Sequence, residues 1–309
     1  MKIKIEMLEE MLRSIGTSPL SEYRMREPLS AHTTFRIGGP AAAWFSPGDE
    51  RELAAVLRLC KEHEIPYAIL GNGSNLLAGD RGFDGVVISL EKNWSYCRKE
   101  KDGRLRAGAG TLLGNAARTA QKERLTGMEF AAGIPGTVGG ALVMNAGAYG
   151  SEMKQILTEA LVMTPEGQVL RLKAEELELG YRTSCIPSKG YIVLEGTFWL
   201  QPGDPEAIGL LMRELGARRR EKQPLEYPSA GSTFKRPEGY FAGKLIQDAG
   251  LSGFSVGGAQ VSEKHCGFVI NRGGASAADV LALCEHVKKQ VKDRFGVELE
   301  LEIKRLGDF

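Results

Sequence analysis

Apolar residues recur along the chain with two periods, one near 3.6 and one near 2, and these divide it into elements. Ile5, Leu8 and Leu12 predict an amphipathic helix over 3–15, read as a peripheral arm. "TTFRIGGPAAAWFSP" reads as strand and turn, and "DERELAAVLRLCKEH" as a helix with Asp49 at its N-cap. "YAIL" is a short apolar strand that runs straight into "GNGSNLLAGD"; "GVVISL" and "LRAGAG" are further strands, and "TLLGNAARTAQKERL" a helix with Thr111 at its start. Residues 157–200 are strand-rich, with "QVLRLK" and "YIVLEGTFWL" as the clearest runs. After Gly203, "DPEAIGLLMRELGARRREKQP" has the Asp-Pro start and the Pro stop of a helix and begins a second unit. "SAADVLALCEHVKKQVKDRFG" predicts a helix with a Ser276–Asp279 capping box, an apolar stripe of Val280, Cys284, Val287, Val291 and Phe295, and Gly296 just past its end. "VELELEIK" alternates strictly and predicts a strand with Glu298, Glu300 and Glu302 on one face. There is no internal repeat or low-complexity segment.

Composition narrows the function. A chain of 309 residues, 42% hydrophobic and 26% charged, has the makeup of a globular protein of roughly two domains. With 40 Lys+Arg against 39 Asp+Glu, no global charge draws in nucleic acid or an anionic membrane surface, which points to a small-molecule partner. Glutamates interrupt the N-terminal apolar pattern, and no apolar run reaches the ~18 residues a membrane span needs, so the expected location is the cytoplasm. Cys60, Cys97, Cys185, Cys266 and Cys284 form no C-x-x-C pair and are expected to be small buried hydrophobes, neither disulfides nor metal ligands.

Candidate chemistry begins with glycine. "AAGIPGTVGGALVMNAGAYG", residues 131–150, serves either tight buried turns or backbone that presses on a ligand. "LGNGSN", residues 70–75, follows a strand as a phosphate loop would, but Leu76 stands where a dinucleotide fingerprint needs its third glycine, and no Walker A loop is present. A weaker "GAGT" at 108–111 makes a third corner, and three such corners at strand ends could line one cleft for a dinucleotide-sized ligand. A second group lies in "YRTS", in Arg218 to Pro237 and in the closing "LEIK". From spacing alone its basic residues read as solvated helix ends, Ser232 as a turn residue and Glu302 as one acid on a wet face.

Taken together, "TTFRIGG", "LGNGSN", "GIPGTVGGA", "NAGAYG", "YRTS", "AGSTFKRP", "AGKLIQDAGL", "GGAQVSEKH" and "LEIKRLG" resemble the UDP-N-acetylenolpyruvoylglucosamine reductase family of peptidoglycan synthesis, from about Thr33 to Gly307. The resemblance implies an α+β protein: a two-lobed FAD-binding part of the vanillyl-alcohol-oxidase type, followed by an α+β substrate-binding domain. The expected division is an N-terminal arm and lobe over 1–92, a second lobe over 93–203 and the substrate domain over 204–309. Leu70, Gly71, Asn72, Gly73, Ser74 and Asn75 would hold the FAD pyrophosphate, aided by the charge of Arg219. Gly133, Ile134, Pro135, Thr137, Val138, Gly140 and Ala148 would lie along the flavin and its ribityl chain, where a side chain at Gly139 or Gly140 would collide with the cofactor. No histidine stands in "GNGSN", so FAD is expected to be non-covalent.

The implied reaction takes a hydride from NADPH and delivers it to an enolpyruvyl UDP-sugar. Arg182 would bind the substrate carboxylate through its planar fork, and Ser232 would protonate the enolate carbon. Burial and the anionic neighbour would keep Glu302 a neutral hydrogen-bond donor. Lys222, Lys235 and Lys244 are candidates for supporting the serine or the UDP diphosphate, and Gln260 for meeting the phosphates. "CIPSKGYIVLEGTFWL" leaves no room for the tyrosine-bearing loop of the longer subtype, which assigns the chain to the short one. The alternatives are an FAD-dependent oxidase or dehydrogenase of a hydroxylated small molecule, and a non-catalytic nucleotide-binding protein.

Overall fold

A computed structural model describes residues 5–309; positions 3 and 4 of the expected first helix lie outside the described residues. The chain separates into two compact units, one built from residues up to Met25, Ala43–Asn72 and Gly85–Arg219, the other from Arg26–Ala42, Gly73–Asp84 and Arg220–Phe309. The second unit's C-terminal stretch thus begins 16 residues after the expected division at 203/204, and the unit also takes in residues 26–42 and 73–84, which that division assigns to the first lobe.

In the first unit, α1 (Ile5–Ile15) turns Leu8 and Leu12 into the interior against α2 (Glu50–Glu62). The segment expected to be a peripheral arm is thus docked, because its two apolar positions find a partner helix. Asp49 caps α2 as expected, its Oδ1 accepting from the N–H groups of Arg51 (2.9 Å) and Glu52 (3.0 Å). Strands Glu22–Pro28, Pro40–Ser46, Phe83–Ser89 and Tyr67–Leu70 form one sheet in that order, the last two parallel.

A five-stranded antiparallel sheet follows, in the order Val169–Lys173, Leu157–Met163, Ile192–Phe198, Leu105–Gly108, Cys97–Lys99. Every residue of Ile192–Phe198 is buried, as its near-continuous apolar run requires. Its one acid, Glu195, accepts a hydrogen bond from the Tyr96 hydroxyl (2.7 Å) and lies 3.4 Å from Arg106 Nε. The helix after "GAGT" is α3 (Leu113–Lys122). Thr111 does not cap it, because its hydroxyl donates to the Tyr96 carbonyl (2.7 Å). Short α4 (Val138–Val143), capped by Thr137, lies against Ile192–Phe198, and the unit ends at Arg219 within α5 (Pro205–Lys222).

The second unit centres on an antiparallel sheet in the order Ser229–Ser232, Phe268–Asn271, Ala259–Val261, Ser255–Val256, with α6 (Ala242–Asp248) and α7 (Ala277–Phe295). The Ser276–Asp279 capping box forms, and Gly296 closes α7 in the left-handed region at φ 68°. Val280, Cys284, Val287 and Val291 are fully buried. Phe295 is not: it is the last helical residue, where the chain turns away, and 39% of it is exposed.

Two further expectations are corrected here. "TTFRIGG" is a corner after a single turn of 3₁₀ helix (Leu29–His32), with Arg36 left-handed at φ 56°, and the strand begins only at Pro40. "VELELEIK" keeps its alternation of burial but has only one bridge, Leu301 to Phe234, before regular pairing of Lys304–Leu306 with Leu76–Ala78. Its alternation reflects burial of one side rather than membership of a continuous ladder. All five cysteines are free; Cys60, Cys185, Cys266 and Cys284 are buried and Cys97 only half so. No helix among the described residues is long and apolar enough to cross a membrane.

Candidate active site

The first unit brings the three glycine corners together. Val138 and Gly139 N–H groups donate to the Thr111 and Ala109 carbonyls (both 2.8 Å), and Leu113 N–H donates to the Gly136 carbonyl (2.9 Å). From the "LGNGSN" corner, Asn72 Nδ2 donates to the Pro135 carbonyl (2.6 Å), and a Cβ on Gly71 would strike Thr137 Oγ1. The corners expected to share a cleft are therefore one hydrogen-bonded assembly. Leu70, Thr137 and Val138 are buried within it and shape the loops, while Gly133 and Ile134 are half-exposed and Pro135 and Gly140 exposed.

Adjacent glycines here have different causes. Gly139 is buried, and a Cβ on it would sit 3.0 Å from Ala109 Cβ and 3.2 Å from the Ala109 carbonyl oxygen. A Cβ on exposed Gly140 would meet nothing nearer than Thr137 Oγ1 at 3.6 Å. Protein packing thus accounts for Gly139, and only Gly140 leaves bare backbone open to a ligand. Beside the same loop, the Arg219 side chain would be 3.3 Å from a Cβ on Gly133, and burial pulls its guanidinium pKa below the ordinary arginine value. A half-buried cation beside the loop that leaves Gly140 open suits a flavin nucleotide, which is flat at one end and anionic at the other.

Arg182 stands at the tip of a tight turn in the same unit, closed by Gly180 N–H to the Thr183 carbonyl (3.1 Å) and Thr183 N–H to the Gly180 carbonyl (3.4 Å). It is left-handed at φ 55°, a conformation that costs a non-glycine residue about 1–3 kcal/mol. Its Nη2 donates to the Gly147 carbonyl (3.3 Å), next to Ala148, and its guanidinium lies 5.3 Å from the Tyr181 ring. Ser184 anchors the turn through its hydroxyl to the Val143 carbonyl (2.7 Å).

The second unit brings Ser232 and Glu302 together. Glu302 N–H donates to the carbonyl of Thr233 (2.9 Å), the residue after the serine, and Lys235 N–H donates to the Glu300 carbonyl (2.8 Å). The other half of "LGNGSN" joins them: Asn75 Nδ2 donates to the Glu302 carbonyl (3.2 Å), Lys304 N–H donates to the Asn75 carbonyl (2.9 Å), and a Cβ on Gly231 would face the Ser74 carbonyl at 3.9 Å. Gly73 is left-handed at φ 56°, and a Cβ there would collide with the His32 carbonyl. Sequence reading passed over what "TTFRIGG" does at this corner: Thr34 N–H donates to the Gly73 carbonyl (3.3 Å) and its hydroxyl to the Ser229 carbonyl (2.6 Å).

The remaining polar candidates have surface partners. Lys235 Nζ pairs with Glu300 (2.8 Å) and Lys244 Nζ with Asp248 one helical turn on (2.6 Å). Gln260 Nε2 donates to the Gly253 carbonyl (3.0 Å) and the Ser255 hydroxyl (3.1 Å), and Lys222 is the exposed last residue of α5. None of these contacts ties Lys244 or Gln260 to Ser232.

Residues 41–173 match the profile of an FAD binding domain, and residues 223–306 match that of the UDP-N-acetylenolpyruvoylglucosamine reductase C-terminal domain. The chain is 54% identical to the UDP-N-acetylenolpyruvoylglucosamine reductase of Clostridium novyi, covering 91% of each chain, and 52% identical to that of Agathobacter rectalis, covering 92% of this chain and 93% of the relative. The crystal structure of the Thermus caldophilus reductase superposes with a TM-score of 0.78 at 36% identity, over 93% of this chain and 98% of the other. By its extent, its two matched domains and its residues, the chain belongs to the UDP-N-acetylenolpyruvoylglucosamine reductase family.

Proposed function

We infer that this protein reduces the enolpyruvyl ether of UDP-N-acetylglucosamine to UDP-N-acetylmuramate, in the cytoplasm, with non-covalent FAD as cofactor and NADPH as electron donor. The observation that carries the reading is the main-chain bond that sets Glu302 against Thr233, the neighbour of Ser232, beside Asn75 of a glycine loop, in a chain whose relatives carry the name of this reductase. Bound FAD supplies a centre that accepts a hydride from NADPH and returns one to the substrate double bond. Residues 1–92 and 93–203 act as the two lobes of a vanillyl-alcohol-oxidase-type flavin site, and 204–309 as the substrate domain.

Gly71 to Asn75 and Arg219 hold the pyrophosphate, and the Gly133–Gly140 loop with Ala148 lies along the flavin. Arg182 grips the substrate carboxylate with two parallel N–H groups and stabilises the charge that builds up beside it during reduction. Ser232 gives its hydroxyl proton to the carbon next to that carboxylate, with Lys222 or Lys235 supporting the alkoxide and the diphosphate. Glu302, half-buried, serves as a neutral hydrogen-bond donor, since two ionised carboxyls side by side would repel. Lys244 and Gln260 act further out, toward the nucleotide.

Steady-state assay of the purified yellow protein tests this. NADPH oxidation is expected to depend on the enolpyruvyl sugar nucleotide and to yield a lactyl ether heavier by two hydrogens. NADPH oxidation that needs only oxygen would favour an oxidase, and a colourless protein with no turnover a binding role.

A further inference from the structure

Asn145 is fully buried and takes part in no step assigned above. Its backbone is left-handed, at φ 42°. Its Nδ2 lies 3.0 Å from Glu152 Oε2 and 3.0 Å from the Gly180 carbonyl, and its Oδ1 accepts the Lys154 N–H at 2.9 Å. The partners fix which way the amide points: a backbone N–H can only donate, so the atom facing Lys154 is the oxygen, and a carbonyl can only accept, so the atom facing Gly180 is the nitrogen.

These bonds join two pieces that meet at Arg182. One is a tight hairpin in which Gly147 pairs with Glu152 and Ala148 with Ser151, its corner made by Tyr149 (φ 56°) and Gly150 (φ 86°), the paired left-handed residues of a two-residue turn. The other is the Gly180–Thr183 turn, which carries Arg182. Asn145 holds Gly180 at the base of that turn and Glu152 at the base of the hairpin, while Arg182 Nη2 reaches across to the Gly147 carbonyl (3.3 Å). Neither piece is fixed against the other by a shared strand ladder.

We propose that Asn145 is a positioning residue: it locks the Arg182 turn onto the 147–152 hairpin and so aims the guanidinium at the substrate carboxylate. The proposal rests on the assignment of Arg182 to that carboxylate. A misaimed fork weakens carboxylate recognition and the reductive half-step that develops charge beside it, but leaves hydride uptake from NADPH alone.

The test uses the flavin-loaded protein and two variants. Asn145→Gly suits the left-handed backbone and removes all three side-chain bonds. Asn145→Asp keeps the shape and the acceptor for Lys154, but sets an oxygen against the Gly180 carbonyl. Binding is measured by calorimetry with the enolpyruvyl sugar nucleotide and with UDP-N-acetylglucosamine, which lacks the carboxylate. Both variants are expected to lose affinity for the carboxylate-bearing ligand alone. Anaerobic flavin reoxidation by substrate should slow by ~10- to 100-fold, with flavin reduction by NADPH nearly unchanged. Adding either change to Arg182→Ala should slow reoxidation little further.

Equal loss of affinity for both ligands, equal slowing of both half-reactions, or loss of flavin by both variants would overturn the proposal and leave Asn145 a purely structural residue. If Arg182→Ala itself leaves carboxylate recognition intact, the assignment of Arg182 fails instead. If only Arg182→Ala has an effect, the assignment stands and the positioning role falls.

Discussion

Arg182 and the Ser232–Glu302 pair are held by opposite means. Ser232 and Glu302 are carried mainly by main-chain pairing with neighbouring segments, the Asn75 amide adding one bond to the Glu302 carbonyl, so their positions depend less on any one side chain. Arg182 sits on a left-handed turn fastened by the side chains of Asn145 and Ser184. Substitutions at 232 and 302 should therefore remove chemistry and little else, whereas substitutions around Arg182 should act at a distance by moving it.

The sharpest break in that comparison is Ser232→Ala. It should slow flavin reoxidation by substrate by about 10²- to 10⁴-fold while flavin reduction by NADPH stays nearly intact. Equal loss in both half-reactions, read by anaerobic stopped-flow absorbance, would mean the serine is not the proton donor.

Next comes the glycine pair. Gly139→Ala should destabilise the protein by ~1–3 kcal/mol, since its Cβ lands against Ala109. Gly140→Ala should leave the flavin-free protein equally or more stable, by up to about 1 kcal/mol, and weaken flavin binding. Denaturant melts with and without added FAD separate the two, and matched behaviour would remove the case for a ligand at Gly140. At position 302, Glu302→Gln should keep more activity than Glu302→Ala if a neutral donor is what matters; the reverse order would argue for a charged role.

The smallest effect is on stability. Burial depresses the pKa of His265, and its Nδ1 accepts the Gly267 N–H (3.1 Å), a bond only the unprotonated nitrogen can make. The unfolded chain, with an ordinary histidine, therefore takes up the proton first as pH falls. This contribution is complete above pH ~6.5 and lost as pH drops toward the folded value. Thermal melts between neutral and mildly acid pH should show a shallower decline for His265→Gln, and an unchanged slope would contradict the sign.

Legibility followed the range of the interactions. Asp49 and the Ser276–Asp279 box were readable because a cap and its targets lie within one helical turn. Thr111 looked equally suitable, but a distant carbonyl, that of Tyr96, takes its hydroxyl. Gly139 and Gly140 are indistinguishable as letters, yet successive helix positions point about 100° apart, one at Ala109 and one outward. Asn145 stood inside a quoted motif, but its partner Gly180 comes from a remote segment and only the fold reveals its role. Ser232 and Glu302 became candidates through resemblance alone, since "VELELEIK" by itself reads as an ordinary edge with a wet acidic face.

The most direct measurement is sequential anaerobic mixing of the wild-type protein, first with NADPH and then with the enolpyruvyl sugar nucleotide, following flavin absorbance. Bleaching in the first step and full return of colour in the second, with one lactyl product formed per flavin, is the expected result. Colour that returns only on admission of oxygen, or that never bleaches, would contradict the assigned reaction.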